Sequence, residues 1–327
     1  MPIQIKGSGY YLPERILDNA YFESILETSD QWIIERTGIH RRRMAAPEEN
    51  TSDLAYYAAC MALEDADISA EELDLIIVAT ATPDMLFPST ACVLQDRLQA
   101  GKAAAFDISA GCTGFIYALT IAEKFLLDES YRHILIVGAE TLTRVLDYTD
   151  RNTCVLFGDG AGAFVLTRGE KPGIIGSLLG SDGSGGKHLL MPGGGSRIPA
   201  SHASVDNHDH FLKMNGPEVY KFATKVCARV SLDLLQLAGL SLNDIDWFVP
   251  HQANMRIIHG ALRTLKIPME KTLINIHDFG NMSAACIPLA LAMAEREGKL
   301  HPGNLILTVA FGAGLTYGGV LLYWGKD

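Results

Sequence analysis

Three side chains far apart in the chain, Cys112, His251 and Asn281, are a candidate nucleophile and two polar groups of the kinds that transfer protons or stabilise charge. Cys112 lies where an apolar run, residues 103–108, turns through Ser109-Ala110-Gly111 into a stretch with apolar residues at Phe115, Ile116, Leu119, Ile121 and Ala122. This pattern predicts a buried strand, a sharp turn and a helix whose first turn holds the cysteine. Unpaired backbone N–H groups and the positive end of the helix dipole would favour thiolate there. Gly111 and Gly114 would let a substrate approach the sulfur closely. A thiol so placed can attack a carbonyl and hold a covalent intermediate; a small cysteine packed in the core is the other reading. His251 follows the apolar residues 245–250 and should project from the C-terminal edge of a sheet, where α/β proteins place their sites. Asn281 follows Phe279-Gly280 at the expected start of a further helix. Each also has a plain structural reading, a hydrogen-bonded edge histidine and a helix N-cap.

The elements that would bring the three together come in two passes. Residues 53–66 have the i, i+3, i+4, i+7 apolar spacing of an amphipathic helix, with Thr51-Ser52-Asp53 as its capping segment. A strand over 75–82, a helix over 89–98, a strand over 103–108, the Cys112 helix, and strands over 133–139 and 162–167 follow. The order then begins again. Strands are expected at 174–179, 245–249, 272–276, 304–310 and 315–324, and helices at 215–238 (with a break near its start), 254–265 and 281–297. Such alternation implies a largely parallel sheet covered on both faces. The match between passes implies a duplicated α/β unit, with halves 1–170 and 171–327. In that duplication the helix opening near Asn281 is the counterpart of the one opening with Cys112, and packing about a pseudo-twofold axis would let all three residues converge.

The chain of 327 residues is 48% hydrophobic, enough for a sizeable core. No apolar run reaches membrane-span length, and the N-terminal residues do not have the pattern of a signal peptide. A net charge of −11 argues against nucleic acid as a partner. The six cysteines show no CxxC pairing and sit in apolar, core-like contexts, which suits a reducing cytoplasm. Arg41-Arg42-Arg43 reads as a solvated basic cluster. Residues 180–212 are rich in glycine and polar residues; His202, His208 and His210 there have no supporting ligand pattern, so a mobile surface loop is expected and no metal site. Gly158-Asp159-Gly160-Ala161-Gly162 precedes a strand instead of opening a helix, which excludes a phosphate-cradling loop.

Seven segments together resemble one family nearly end to end. They are Trp32 to Ile39 (WIIERTGI), Asp107 to Cys112 (DISAGC), Asp150 to Cys154 (DRNTC), Phe157 to Gly162 (FGDGAG), Pro250 to Asn254 (PHQAN), Gly280 to Ala285 (GNMSAA) and Phe311 to Thr316 (FGAGLT). The chain resembles the β-ketoacyl-acyl-carrier-protein synthases III, acyltransferases of the thiolase-like superfamily that initiate type II fatty-acid synthesis. The resemblance implies an α/β thiolase-like fold, with duplicated βαβαβαββ halves in α-β-α-β-α layers. It implies that Cys112 takes the acyl group of a short acyl-CoA, with the amides of Cys112 and Ala313 as an oxyanion hole. His251 and Asn281 would assist decarboxylative condensation with malonyl-acyl-carrier protein. Trp32, Arg36, Thr37, Arg151 and Asn254 would bind CoA, Phe87 and Met214 would shape the acyl pocket, and Gln252, Arg256 and Lys221 would meet the carrier protein, with Arg263 and Lys266 extending that basic rim. Phe87 would reach into the partner's acyl pocket, so a cytoplasmic homodimer is implied; no cofactor is, because acyl-CoA and malonyl-carrier protein are substrates. Two other readings use the same fold: a related acyltransferase of secondary metabolism, and a non-catalytic carrier-binding paralogue, which the intact trio opposes.

Overall fold

Leu75, Ile77 and Ala79 pack into one apolar core, and Ile76 and Val78 into another, because successive strand side chains point to opposite faces. The same alternation sends Ile306 and Ala310 one way and Leu305, Leu307, Val309 and Phe311 the other. Strands buried on both faces read as unbroken apolar runs.

The computed structural model describes residues 2–325. Strands β1 (Ile3–Tyr11), β2 (Leu75–Ala79), β3 (Ala104–Ile108), β4 (His133–Thr141) and β5 (Asp159–Arg168) form a sheet in the order β1-β5-β4-β2-β3. Strands β6 (Ile174–Ser181), β7 (Trp247–Pro250), β8 (Leu305–Gly312) and β9 (Thr316–Tyr323) form a second, in the order β7-β8-β9-β6. Helices α1 (Thr51–Ala66) and α2 (Thr90–Arg97) cover the outer face of the first sheet. Helices α4 (Gly216–Ala238) and α5 (Met255–Leu265) cover the outer face of the second. Helices α3 (Gly114–Phe125) and α6 (Cys286–Arg296) lie in the shared core between the sheets. Five layers, α-β-α-β-α, result.

Several expectations need correction. The sheets are mixed. Strand β2 runs parallel to β3 and β4, but β4–β5 and β1–β5 are antiparallel; β7–β8 is parallel, and β8–β9 and β9–β6 are antiparallel. The cause is the connections: a parallel return needs a crossover helix, whereas β4 reaches β5 with only the short 3₁₀ turn Leu142–Val145 between them. Residues 272–276 form no strand, only a bridge from Phe248 to Thr272. Helix α4 has no break near its start: Asn215 caps it and Gly239, at φ 69°, ends it. Asn50 caps α1, with Asp53 reaching back to the Asn50 amide at 2.7 Å. The glycine-rich residues 159–162 lie within β5 itself.

The polar segment near residue 200 is tied down, contrary to the mobile loop expected. Leu189–Leu190 pairs with Lys213–Met214, and His202–Asp206 is a short helix capped by Ser201. The His208 ring bonds Asp147 at 2.6 Å and the His210 ring bonds Ser204 at 2.8 Å. Nor are all cysteines core-like: Cys92 is exposed, and Cys60 and Cys112 are half-buried.

Candidate active site

The apolar strand β3 ends at Ile108 and α3 begins at Gly114, so Cys112 falls in a 3₁₀ turn, Gly111–Thr113, just ahead of the helix. That turn packs backbone to backbone against the β8–β9 connection. A Cβ on Gly312 would lie 2.5 Å from the Cys112 amide nitrogen, and one on Gly111, whose φ is 53°, 2.9 Å from the Ala313 amide nitrogen. Only glycine at both positions permits the contact, which sets the Cys112 and Ala313 amides beside one another. The Thr113 and Thr316 hydroxyls, 2.7 Å apart, fasten the two loops.

Asn281 is held by main chain from the other half of the sequence. Its amide donates to Leu156 O at 2.9 Å, and its carbonyl accepts from Gly158 N at 3.0 Å. Its side-chain oxygen accepts from Ser283 N at 2.9 Å, which leaves the carboxamide NH₂ as the free donor. Asn281 is not the counterpart of Cys112. The turn Ser283–Ala285 repeats Gly111–Thr113, each starting at positive φ (47° at Ser283, 53° at Gly111) and running directly into a helix. Ala284 therefore stands where Cys112 does, and Asn281 precedes the turn.

His251 follows β7, its amide bonded to Val309 O at 2.8 Å and its ring edge-on to Phe311 at 5.4 Å. It is buried, and its Nδ1 has no protein partner among the described residues. Burial drives its pKa down to about 3, so the imidazole is neutral and carries one N–H donor. The cysteine departs from expectation. Burial first, and then the Glu140 carboxylate, push its thiol up to about 12, against lowering by the Ser283 hydroxyl and the Cys112 amide. Cys112 is therefore held as a thiol; the helix terminus alone does not make it thiolate.

Cys112, His251 and Asn281 all line one cavity of about 1030 Å³, whose walls come from both halves of the chain. Trp32, Arg36, Thr37, Met214, Lys221, Asn254, Arg256 and Gly312 line it too.

The regions 106–183 and 235–324 match the families described as 3-oxoacyl-[acyl-carrier-protein (ACP)] synthase III and its C-terminal part. A β-ketoacyl-[acyl-carrier-protein] synthase III of Syntrophomonas wolfei is 60% identical over all of this chain and 99% of its own length. The chain belongs to the synthase III family. The crystal structure of 3-oxoacyl-[acyl-carrier-protein] synthase III from Aquifex aeolicus superposes with a TM-score of 0.91 at 45% identity, covering 98% of this chain and all of the other. The priming β-ketosynthase of the R1128 polyketide pathway has a TM-score of 0.92 at 35% identity, covering all of this chain and 97% of its own. The thiolase-like fold of that family, and its condensing acyltransferase activity, are those of this chain.

Set in the synthase III fold, the remaining candidate residues divide. Gln252 is wrongly placed at a carrier-protein surface. It is fully buried, donating to Pro250 O at 2.8 Å and Leu273 O at 3.1 Å and accepting from Asn275 N at 3.2 Å. Arg151 lies outside the cavity wall; its guanidinium rests 5.1 Å over the Trp32 ring and bonds Glu27 O, so a base stacked between them would have to part the pair. Asn254 and Thr37 line the cavity but already hold backbone. Asn254 caps α5 and donates to Arg36 O at 3.0 Å, and the Thr37 hydroxyl closes its own helix on Ile33 O at 2.7 Å. Lys221 is exposed and paired with Glu218 at 2.6 Å, and Arg256 is exposed beside Tyr220. Arg263 and Lys266 are exposed as well. Phe87, 84% exposed, and Leu86, 77% exposed, lie outside this chain's cavity.

Sequence reasoning missed two residues. Glu140 ends the apolar strand β4 with no exposure, and its carboxylate accepts from Thr82 Oγ1 at 2.6 Å and Ala81 N at 3.0 Å. Ser283 opens the turn Ser283–Ala285 and donates its amide to the Asn281 side-chain oxygen at 2.9 Å, fixing which way that carboxamide faces. A carboxylate closing a buried strand was the available signal.

Proposed function

We propose that this chain transfers a short acyl group from CoA to Cys112 and condenses it with malonyl-acyl-carrier protein, giving a 3-oxoacyl-carrier protein. The observation that carries this reading is the convergence of Cys112, His251 and Asn281 on one cavity built by both halves. The Cys112 sulfur attacks the thioester carbon, and the amides of Cys112 and Ala313 hold the oxyanion; one such donor is worth roughly 3 kcal/mol of barrier. CoA leaves as its thiol and the acyl group stays on sulfur. The malonyl thioester carbonyl then takes the neutral His251 and Asn281 donors. As the bond to carbon dioxide breaks, its electron pair moves into an enolate that those donors stabilise. Neutral donors do this without trapping the departing carboxylate as an ion pair. The enolate carbon attacks the acyl-cysteine carbonyl and expels the Cys112 sulfur.

Trp32, Arg36 and Arg151 are assigned to the CoA nucleotide, with Thr37 and Asn254 shaping its path, and Met214 to the acyl end. Lys221 and Arg256, with Arg263 and Lys266 beyond them, are a basic rim suited to an acidic carrier protein. The exposed Leu86-Phe87 pair is the apolar contact of a homodimer in which Phe87 enters the partner's pocket. The polyketide priming enzyme at 35% identity supports a second reading, in which the same acyl-cysteine primes a secondary-metabolite pathway.

The test is incubation with a panel of labelled acyl-CoAs followed by malonyl-acyl-carrier protein. Label on Cys112 and then a 3-oxoacyl product are expected. Label without condensation on a fatty-acid carrier protein favours the second reading, and carrier binding with no label sinks both.

A further inference from the structure

The middle arginine of Arg41-Arg42-Arg43 is not solvated. Arg42 is fully buried, and no carboxylate pairs with it among the described residues. Burial pushes its pKa down to about 10, so it is still a cation at neutral pH. A buried cation without a counter-charge is costly unless it is well hydrogen-bonded. The guanidinium gives Nε to Val155 O at 3.0 Å and Nη2 to the same oxygen, and Nη1 to Asn19 Oδ1 at 2.7 Å. It lies 4.5 Å from the centre of the Phe22 ring. Asn19, itself buried, is locked in turn: its carboxamide donates to Ile39 O at 3.0 Å and to Asp30 Oδ1 at 2.8 Å.

What Arg42 holds is the segment that carries Asn281. Val155, Leu156 and Phe157 form part of the cavity wall, and Arg42 stands behind them. One residue beyond the Val155 carbonyl, Leu156 O accepts the Asn281 amide at 2.9 Å, and Gly158 N donates to the Asn281 carbonyl at 3.0 Å. The arginine stem lies against the same joint. A Cβ on Gly280 would come within 3.1 Å of its Cγ, and one on Gly158 within 3.1 Å of its Cβ. Cys112 is fixed by different contacts, the Thr113 and Thr316 hydroxyls and the close approach of Gly111 and Gly312. We propose that Arg42 is a positioning residue for condensation: by clamping Val155 O behind the cavity wall, it sets where the Asn281 carboxamide stands. It does not line the cavity and acts only through Asn281. The guanidinium fork matters because two of its donors take one carbonyl while a third reaches Asn19; the compact ammonium of lysine cannot span both. This rests on the proposed role of Asn281 as a donor to the malonyl thioester.

The test separates the two half-reactions in Arg42→Lys, Asn281→Ala and the double variant. Labelling of Cys112 at saturating acyl-CoA reads acylation. Passage of that label into 3-oxoacyl product, when malonyl-acyl-carrier protein is added to pre-acylated enzyme, reads condensation. In Arg42→Lys condensation should fall about 10–10²-fold, as expected when a catalytic group is displaced by up to about an ångström. Acylation should stay within about twofold. In the Asn281→Ala background the same substitution should change condensation by no more than about twofold, because nothing remains for it to position. A merely structural role would lower both half-reactions in step with the folded fraction, or would multiply with the Asn281→Ala loss; either result overturns the proposal. Condensation unchanged in folded Arg42→Lys overturns it too. Should Arg42→Lys fail to fold, Asn19→Ala decides alone by the same cycle. It keeps the guanidinium on Val155 O but removes its anchor, with an expected loss of about three- to tenfold in condensation. If Asn281→Ala itself leaves condensation unchanged, the reading of Asn281 fails and the proposal falls with it.

Discussion

Gly111–Thr113 runs into α3 and Ser283–Ala285 runs into α6, and both turns start from a left-handed residue, φ 53° at Gly111 and 47° at Ser283. In the first turn the middle residue is Cys112, the proposed nucleophile; in the second it is Ala284, against whose carbonyl Gly138 packs so closely that a Cβ there would lie 2.3 Å away. The first turn needs glycine because the Phe311–Gly314 backbone presses on it. The second tolerates serine, whose amide holds the Asn281 side-chain oxygen at 2.9 Å. Duplication supplied one backbone device twice. On the proposed roles, one copy carries the covalent step and the other, with Asn281 just ahead of it, carries hydrogen bonds.

That division can be broken most severely at the sulfur. Cys112→Ala should abolish acyl labelling, a loss of at least about 10⁴-fold measured with labelled acyl-CoA. Next come the donors. His251→Ala and Asn281→Ala should each lower condensation about 10²–10³-fold while sparing acylation more, as read by separate assays of the two half-reactions. Loss of acylation with decarboxylation intact would reverse the assigned roles. The turns themselves should respond oppositely to exchange. Gly111→Ser places a Cβ 2.9 Å from the Ala313 amide at left-handed φ and should cost about 1–3 kcal/mol in thermal melts, with at least about tenfold slower acylation. Ser283→Gly should be neutral or stabilising by up to about 1 kcal/mol.

The histidine adds a pH dependence. Its folded pKa of about 3 lies below the ordinary value of about 6.5, so below that ordinary value the unfolded chain binds a proton that the folded one does not. This contribution to stability is therefore full above about pH 6.5 and declines as pH falls toward 3. Melting temperatures measured from about pH 7 to 4.5 should drop less steeply in His251→Ala. The smallest effect belongs to the rim. Lys221→Glu should raise KM for malonyl-carrier protein only a few-fold, and less so in high salt.

Strands such as Leu75–Ala79 were legible because burial on both faces leaves an unbroken apolar run. Their directions were not, since β4 and β5 run antiparallel only because no crossover helix joins them. His251 was readable from the strand before it, but Gln252, one residue on, was misjudged: the Pro250 and Leu273 carbonyls need a buried donor, and nothing local shows that need. The counterpart of Cys112 required dihedral angles to identify. Glu140 is held by Thr82 and Ala81, nearly sixty positions earlier in the chain, beyond any local periodicity.

The Asn281 main chain is stitched to Leu156 and Gly158, so a side chain from late in the sequence is fastened to main chain from its first half. A chain with only its first sheet assembled would display Cys112 without its condensing partner. On the proposed roles, decarboxylation would then wait for the second sheet to dock on the first. During refolding, the return of condensing activity should trail the return of the first sheet, which makes catalysis itself a gauge of completed assembly.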